Sequence, residues 1–395
     1  MDYIRIGTEY YKLSNMPLLS GDTCNVLLKW KKGEIIQDEG KEVLSKIPKY
    51  DGFCSIPSNT NYQESVNGFY NKFEKVEHQF EAGEFLKTDM FLKHIFGNHY
   101  ELGLDYLTIL WQQPTEILPI LCLVSQARNT GKTTFLYWLK LIFQGNMTIN
   151  KNEDFRSQFN SDWSNKEIIA VDEALLDKKE DSERIKNLST ARSYKTEAKG
   201  IDKKESGFFG KFILCSNNID NFILVDEDEI RYWVLDVPQF NSENPNLLDE
   251  LKVELPHFMF YLNQRQIVTP RTTRMWFTKE QIHTKALLRL VKGNRTYLNR
   301  EIEEIIIDDF IKFEVEVLQY SLGDLVEKLS KNNIRATSAN IRKCLNDKFQ
   351  LESTNSTYIK YHLANMPSGG LIVEETKCKG RYYTFLKENF ILSAV

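Results

Sequence analysis

Six cysteines are scattered along the 395-residue chain, at positions 24, 54, 122, 215, 344 and 378, and none stands in a CxxC pair. The sequence thereby lacks the spacing of a disulfide framework or a zinc site, and reduced thiols are expected. The six histidines show no ligand spacing beyond His94 and His99, which are read as structural or surface residues. No apolar run reaches membrane-spanning length, and the start Met1-Asp-Tyr-Ile-Arg-Ile6 lacks the charged and apolar regions of a secretory leader. A soluble, unexported, cytoplasmic protein without a membrane partner is the expectation. Basic charge is not in excess either: 51 Lys and Arg face 55 Asp and Glu, for a net charge of −4. Any nucleic-acid contact must then come from local patches. Residues 1–83 hold no paired acidic metal motif, so no intact nucleotidyl-transfer site is expected there.

What is present is ordinary globular material, 42% hydrophobic and 27% charged, long enough for two or three domains. The apolar run Leu118-Pro-Ile-Leu-Cys-Leu-Val124 predicts a buried parallel strand, and Thr133–Phe143 carries apolar residues at helical spacing. Between them lies Ser125-Gln-Ala-Arg-Asn-Thr-Gly-Lys-Thr-Thr134, a tight loop of the kind that wraps a phosphate, a P-loop. Such a loop turns backbone N–H groups inward while the following helix adds its positive end. Asn129, Thr130, Gly131, Lys132, Thr133 and Thr134 are the candidate nucleotide-binding residues. Lys132 would meet the β- and γ-phosphates of ATP, and the Thr133 hydroxyl would coordinate Mg²⁺. The usual pattern has a glycine five residues before the second one, and here that position is Gln126.

A second buried strand, Lys166-Glu-Ile-Ile-Ala-Val171, ends in Asp172-Glu173. Asp172 would hold the Mg²⁺ shell and Glu173 would polarise the attacking water as general base. A third, Lys211-Phe-Ile-Leu-Cys-Ser216, ends in Asn217, whose amide could contact the γ-phosphate or the water. A fourth begins at Arg231 after the acidic run Asp226–Glu229. In this order the last two are read as a sensor and an arginine finger.

The succession Gly131-Lys132-Thr133, Asp172-Glu173, a basic segment, Asn217 and Arg231 resembles the superfamily 3 helicases of viruses and plasmids. It is most similar to the helicase part of phage and mobile-element primase-helicases, over about residues 85–240. The resemblance implies an α/β fold with an AAA+-like parallel-sheet ATPase core, and a homo-hexameric ring in which Arg231 reaches the nucleotide of a neighbouring subunit. It also implies an activity: ATP- and Mg²⁺-dependent translocation on single-stranded or forked DNA during replication, alongside a primase or other replication proteins. A loop ahead of the sensor strand would project into the ring channel. Here that is Ala191–Lys204, with five Lys and Arg in fourteen residues, and Lys199, Lys203 and Lys204 are the candidates for neutralising phosphates. A solvated charged face remains the other reading of that run.

Four regions are expected: 1–83 mixed α/β, 84–115 a helical collar, 116–296 the ATPase core and 297–395 a winged-helix-like domain. The aromatics of the first are read mainly as packing in a small core, with base stacking as the alternative. The helices Glu84–Phe96 and Tyr100–Trp111 either join subunits or cover the core of one. Lys292–Thr296 is read as a boundary turn. In the last region two capped helices precede a hairpin expected to turn near Cys378–Gly380, so that Arg342, Lys343, Lys377, Lys379 and Arg381 could face DNA; docking a protein is the alternative. Two rival functions stand beside the helicase: an ATP-driven loader or switch that does not unwind, and a non-enzymatic origin-binding scaffold with a decayed loop.

Overall fold

The computed structural model describes residues 2–17, 23–156, 163, 165–176, 178–198, 201–225, 229–332, 334, 336–365 and 371–391. The chain forms two compact units: Met1–Leu175 with Arg184–Ile219 and Glu229–Leu287, and Leu176–Glu183 with Asp220–Asp228 and Leu288–Val395.

The first unit is built on a five-stranded sheet in the order Tyr232–Asp236, Ile120–Val124, Lys211–Ser216, Ile168–Val171, Met147–Asn150. Every pairing is parallel. Parallel strands covered on both faces read as continuous apolar runs, and Ile120–Val124 and Ile168–Val171 are buried at every position. The helix Lys132–Phe143 buries Phe135, Trp138, Leu139 and Ile142, one stripe at helical spacing, against this sheet. Leu86–Phe96 and Tyr100–Gln112 share that core, joined by the turn Gly97–His99. Leu247–Gln264 packs there too, as one helix that runs through Pro256 where the sequence suggests a break. Trp111, Trp138 and Trp233 are fully buried.

Ahead of these helices a four-stranded sheet runs in the order Thr23–Trp30, Glu9–Pro17, Tyr3–Ile6, Lys49–Tyr50 over a small core of Tyr3, Ile35 and Ile47. Tyr10 and Trp30 pack on that core, and Tyr11, Phe53 and Tyr70 meet edge to face. Most aromatics of this region are thus engaged with one another.

In the second unit the strands run Val317–Tyr320, Leu371–Leu386, Thr354–Asn365, all antiparallel. They share a core with the end of the helix Lys285–Phe313 and with the helices Leu322–Lys331 and Ser338–Asp347. Two sequence expectations are corrected here. Residues 292–296 are not a turn but lie inside Lys285–Phe313. Gly293 is there for a close approach, since a Cβ would sit 2.3 Å from the Asp220 carbonyl oxygen. The hairpin does not turn at Cys378–Gly380, which lie within one strand, and the pairing with Thr354–Asn365 runs on to Asn365 opposite Leu371. Among the described residues no helix is long and apolar enough to cross a membrane.

Candidate functional site: the loop cavity at the carboxyl edge of the sheet

Three neighbouring strands of the first unit, Ile120–Val124, Lys211–Ser216 and Ile168–Val171, end on the same edge and deliver their following loops to one place. The crevice outside the carboxyl ends of parallel strands is where α/β sheets receive ligands. Here it is a cavity of about 390 Å³ lined by Ala127–Thr134, Asp172, Glu173 and Cys215–Asn217. Asn129, Thr130, Gly131, Lys132, Thr133, Thr134, Asp172, Glu173 and Asn217, nine residues singled out from sequence, therefore line a single space.

The loop reaches this form through two left-handed residues, Asn129 at φ 53° and Gly131 at φ 82°. Asn tolerates that region and Gly is indifferent to it. Gly131 is also confined by space: a Cβ would stand 2.8 Å from Phe240 Cε2 and 3.1 Å from Phe91 Cε2. Gly131 is the N-cap of Lys132–Phe143, so the helix begins at the cavity wall. Lys132 is buried, with Nζ 3.2 Å from Thr130 Oγ1 and 3.5 Å from the Ser125 carbonyl oxygen. Burial lowers its pKa from the ordinary lysine value, because water no longer solvates the ammonium.

Across the cavity the Thr133 hydroxyl donates to Asp172 Oδ2 at 3.1 Å. A hydroxyl and a carboxylate side by side are hard oxygen donors, the chemistry that suits a small divalent cation with several retained waters. Glu173 turns left-handed at φ 53°, its N–H donating to Asp172 Oδ1 at 3.0 Å and its carbonyl accepting from Asn152 Nδ2 at 3.1 Å. The chain thus leaves the strand at once, and both acidic residues stay on the cavity. Ser216 donates its hydroxyl to the Ala174 carbonyl at 2.7 Å, which ties the strand end that bears Asn217 to the acidic turn. Cys215 lies beneath the loop, its thiol pushed well up by burial and so protonated.

Arg231 is not brought to this cavity. It sits at the amino end of Tyr232–Asp236, where its carbonyl accepts from Ile120 N at 2.7 Å. The loop leaves the neighbouring strand after Val124, four residues or about 13 Å further along. Both Glu229 carboxylate oxygens accept from Arg231 Nη1, at 2.6 and 2.8 Å, and Lys186 Nζ is 3.7 Å away. The Arg231 side chain is 24% exposed.

Of the basic candidates, Lys199 lies outside the described residues. Lys203 and Lys204 lie on Ile201–Gly207, antiparallel to Ser193–Ala198, with Lys204 opposite Thr196. In the second unit Arg342 and Lys343 are on the helix Ser338–Asp347, and Lys379 and Arg381 are on Leu371–Leu386. Arg342 and Arg381, 39 positions apart, meet in a cleft of about 590 Å³ with Asn346 and Tyr383. Lys379 is exposed, opposite Thr357.

Sequence reasoning missed His94, Phe240 and Cys215. His94 Nε2 lies 3.0 Å from the Thr130 carbonyl oxygen, and its ring stacks on Phe240 at 3.9 Å between centroids. Phe240 N donates to the Asn129 carbonyl at 3.0 Å. All three contacts join residues far apart in the chain, and no local pattern marks them.

Comparison with known proteins fits this layout. Residues 123–231, from the loop strand to Arg231, match a family described as being of unknown function (DUF5906). No curated protein matches the chain. Among solved structures, the chain is similar to the apo structure of the NrS-1 C terminal region (305–718), with 16% identity, 94% of each chain covered and a TM-score of 0.55. An A form apo structure of the same region covers 96% of this chain and 95% of that one, at 16% identity and a TM-score of 0.53. The likeness extends over nearly the whole chain, and what it shows is a shared fold.

Proposed function

We propose that this chain is an ATP- and Mg²⁺-dependent DNA helicase acting in the replication of a phage or mobile element, with the loop of the first unit serving as a P-loop. The observation that carries this reading is the gathering of Asn129–Thr134, Asp172, Glu173 and Asn217 around one cavity. The superfamily 3 resemblance of the sequence supports replication as the setting, and the likeness to the NrS-1 C terminal region supports a shared fold.

In this reading the triphosphate lies against the loop N–H groups and the start of the helix Lys132–Phe143, and the Lys132 ammonium offsets charge on the β- and γ-phosphates. Thr133 and Asp172 would hold Mg²⁺, which neutralises charge that develops on the phosphate oxygens. Glu173 accepts a proton from the water that attacks the γ-phosphorus, as the bond to the β–γ bridging oxygen breaks and ADP leaves. Asn217 orients that water or the γ-phosphate. Arg231, at the other edge of its own sheet, serves a neighbouring subunit's nucleotide, which requires a ring; a homo-hexamer is the assembly proposed. Lys199, Lys203 and Lys204 would hold the strand backbone. The second unit, read as a winged helix, would contact DNA through Arg342, Lys343, Lys379 and Arg381.

The test is displacement of a labelled strand from a forked duplex. The helicase reading expects displacement that needs both ATP and Mg²⁺ and is lost in Lys132→Ala. ATP hydrolysis without displacement on any fork would contradict it and favour a loader or switch.

A further inference from the structure

The loop lacks the first glycine of its pattern, so something else must hold its backbone in an anion-accepting form. Two side-by-side contacts from outside the loop do this. Phe240 N donates to the Asn129 carbonyl at 3.0 Å, and His94 Nε2 lies 3.0 Å from the Thr130 carbonyl. A carbonyl only accepts, so the His94 proton at that contact is on Nε2. In a planar trans peptide the C=O and the next N–H point in opposite directions. Holding the Asn129 carbonyl outward therefore turns the Thr130 N–H toward the cavity, and holding the Thr130 carbonyl outward does the same for the Gly131 N–H.

The two braces support each other. The His94 and Phe240 rings stack at 3.9 Å with 12° between planes, and Phe240 Cε2 also fills the space beside Gly131. His94 comes from Leu86–Phe96, and Phe240 from the segment after the last strand of the sheet. Two segments remote in sequence from the loop thus fix two successive peptide planes.

We propose that His94 and Phe240 are positioning residues for phosphate binding: they pin the Asn129 and Thr130 carbonyls outward and so set the N–H groups of Thr130 and Gly131 for a phosphate. The proposal rests on the ATP-binding reading of the cavity.

The experiment titrates the full chain with ATP and, separately, with inorganic pyrophosphate, by calorimetry. His94→Phe keeps a flat ring on Phe240 and removes the donor; His94→Gln restores an N–H donor without the ring. The expected result is about tenfold weaker binding of both ligands by His94→Phe, the loss of one well-placed hydrogen bond, and recovery of most of it by His94→Gln. In turnover the loss is expected as a higher KM for ATP at unchanged kcat, with the melting temperature of His94→Phe close to that of the unsubstituted chain. Wild-type affinity in His94→Phe would overturn the proposal. So would equal losses in both variants, since restoring an N–H donor to the Thr130 carbonyl would then recover nothing. Failure of the unsubstituted chain to bind either ligand would overturn the ATP-binding reading itself, and the positioning role with it.

Discussion

At the scale of the residue, Gly131 is constrained twice, by a φ of 82° and by Phe240 and Phe91 against its missing side chain. Gly131→Ala must shift the loop or the rings, and is expected to weaken ATP binding at least tenfold while the fold survives; unchanged affinity in a titration would show that the loop form is not needed. Arg231 presents the opposite case. It is anchored at one nitrogen by Glu229, away from its own cavity, and remains partly exposed. If it completes a neighbour's site, Arg231→Ala should leave ATP binding nearly intact and lower turnover by about 10³-fold or more. Mixing that variant with Lys132→Ala should recover part of the activity, because interfaces that join an intact loop to an intact Arg231 reappear. A binding loss equal to the turnover loss would place Arg231 in the structural framework instead.

At the scale of the element, the starts of the two capped helices of the last region were legible in the sequence, because capping is local chemistry. Thr278 with Gln281, and Ser321 with Asp324, form reciprocal capping boxes, and Thr337 accepts from Asn340 N at 3.2 Å. Asp324 does more than cap. It accepts from the Ser321 hydroxyl at 2.7 Å and from the Tyr358 hydroxyl at 3.1 Å, and it is paired with the Lys360 ammonium. Burial pushes its carboxyl up, but the bonds from Lys360 and Ser321 outweigh this and hold it below the usual aspartate range. A depressed folded pKa gives stability that is present above the unfolded value of about 4 and is lost as pH falls through the folded one. The second unit should therefore lose stability below about pH 4, and Asp324→Asn should cost about 1–3 kcal/mol at pH 7 while flattening that acid dependence. Melting curves at several pH values check both; an unchanged acid slope in the variant would contradict the assignment. What was not legible at this scale depended on partners far away. Pro256 signalled a break, yet the helix continues; Gly293 and Gly380 signalled turns, yet one serves a close approach and the other lies inside a 16-residue strand.

At the scale of the whole molecule, the chain order of strand, loop, helix and acidic strand end was enough to anticipate which residues line the cavity. Each of those positions follows directly on a buried strand, and a parallel sheet carries all such positions to one edge. The brace of His94 and Phe240, the Arg342–Arg381 cleft and the placement of Arg231 across the sheet were beyond that reasoning, since they depend on which strands and helices become neighbours. The central claim is that the cavity turns over ATP in the service of movement on DNA. Steady-state ATP hydrolysis by the full chain, with and without single-stranded DNA and beside Lys132→Ala, tests it most directly. The account predicts turnover that rises several-fold with DNA and disappears in Lys132→Ala. No turnover in either condition, or a rate that Lys132→Ala leaves unchanged, would contradict it.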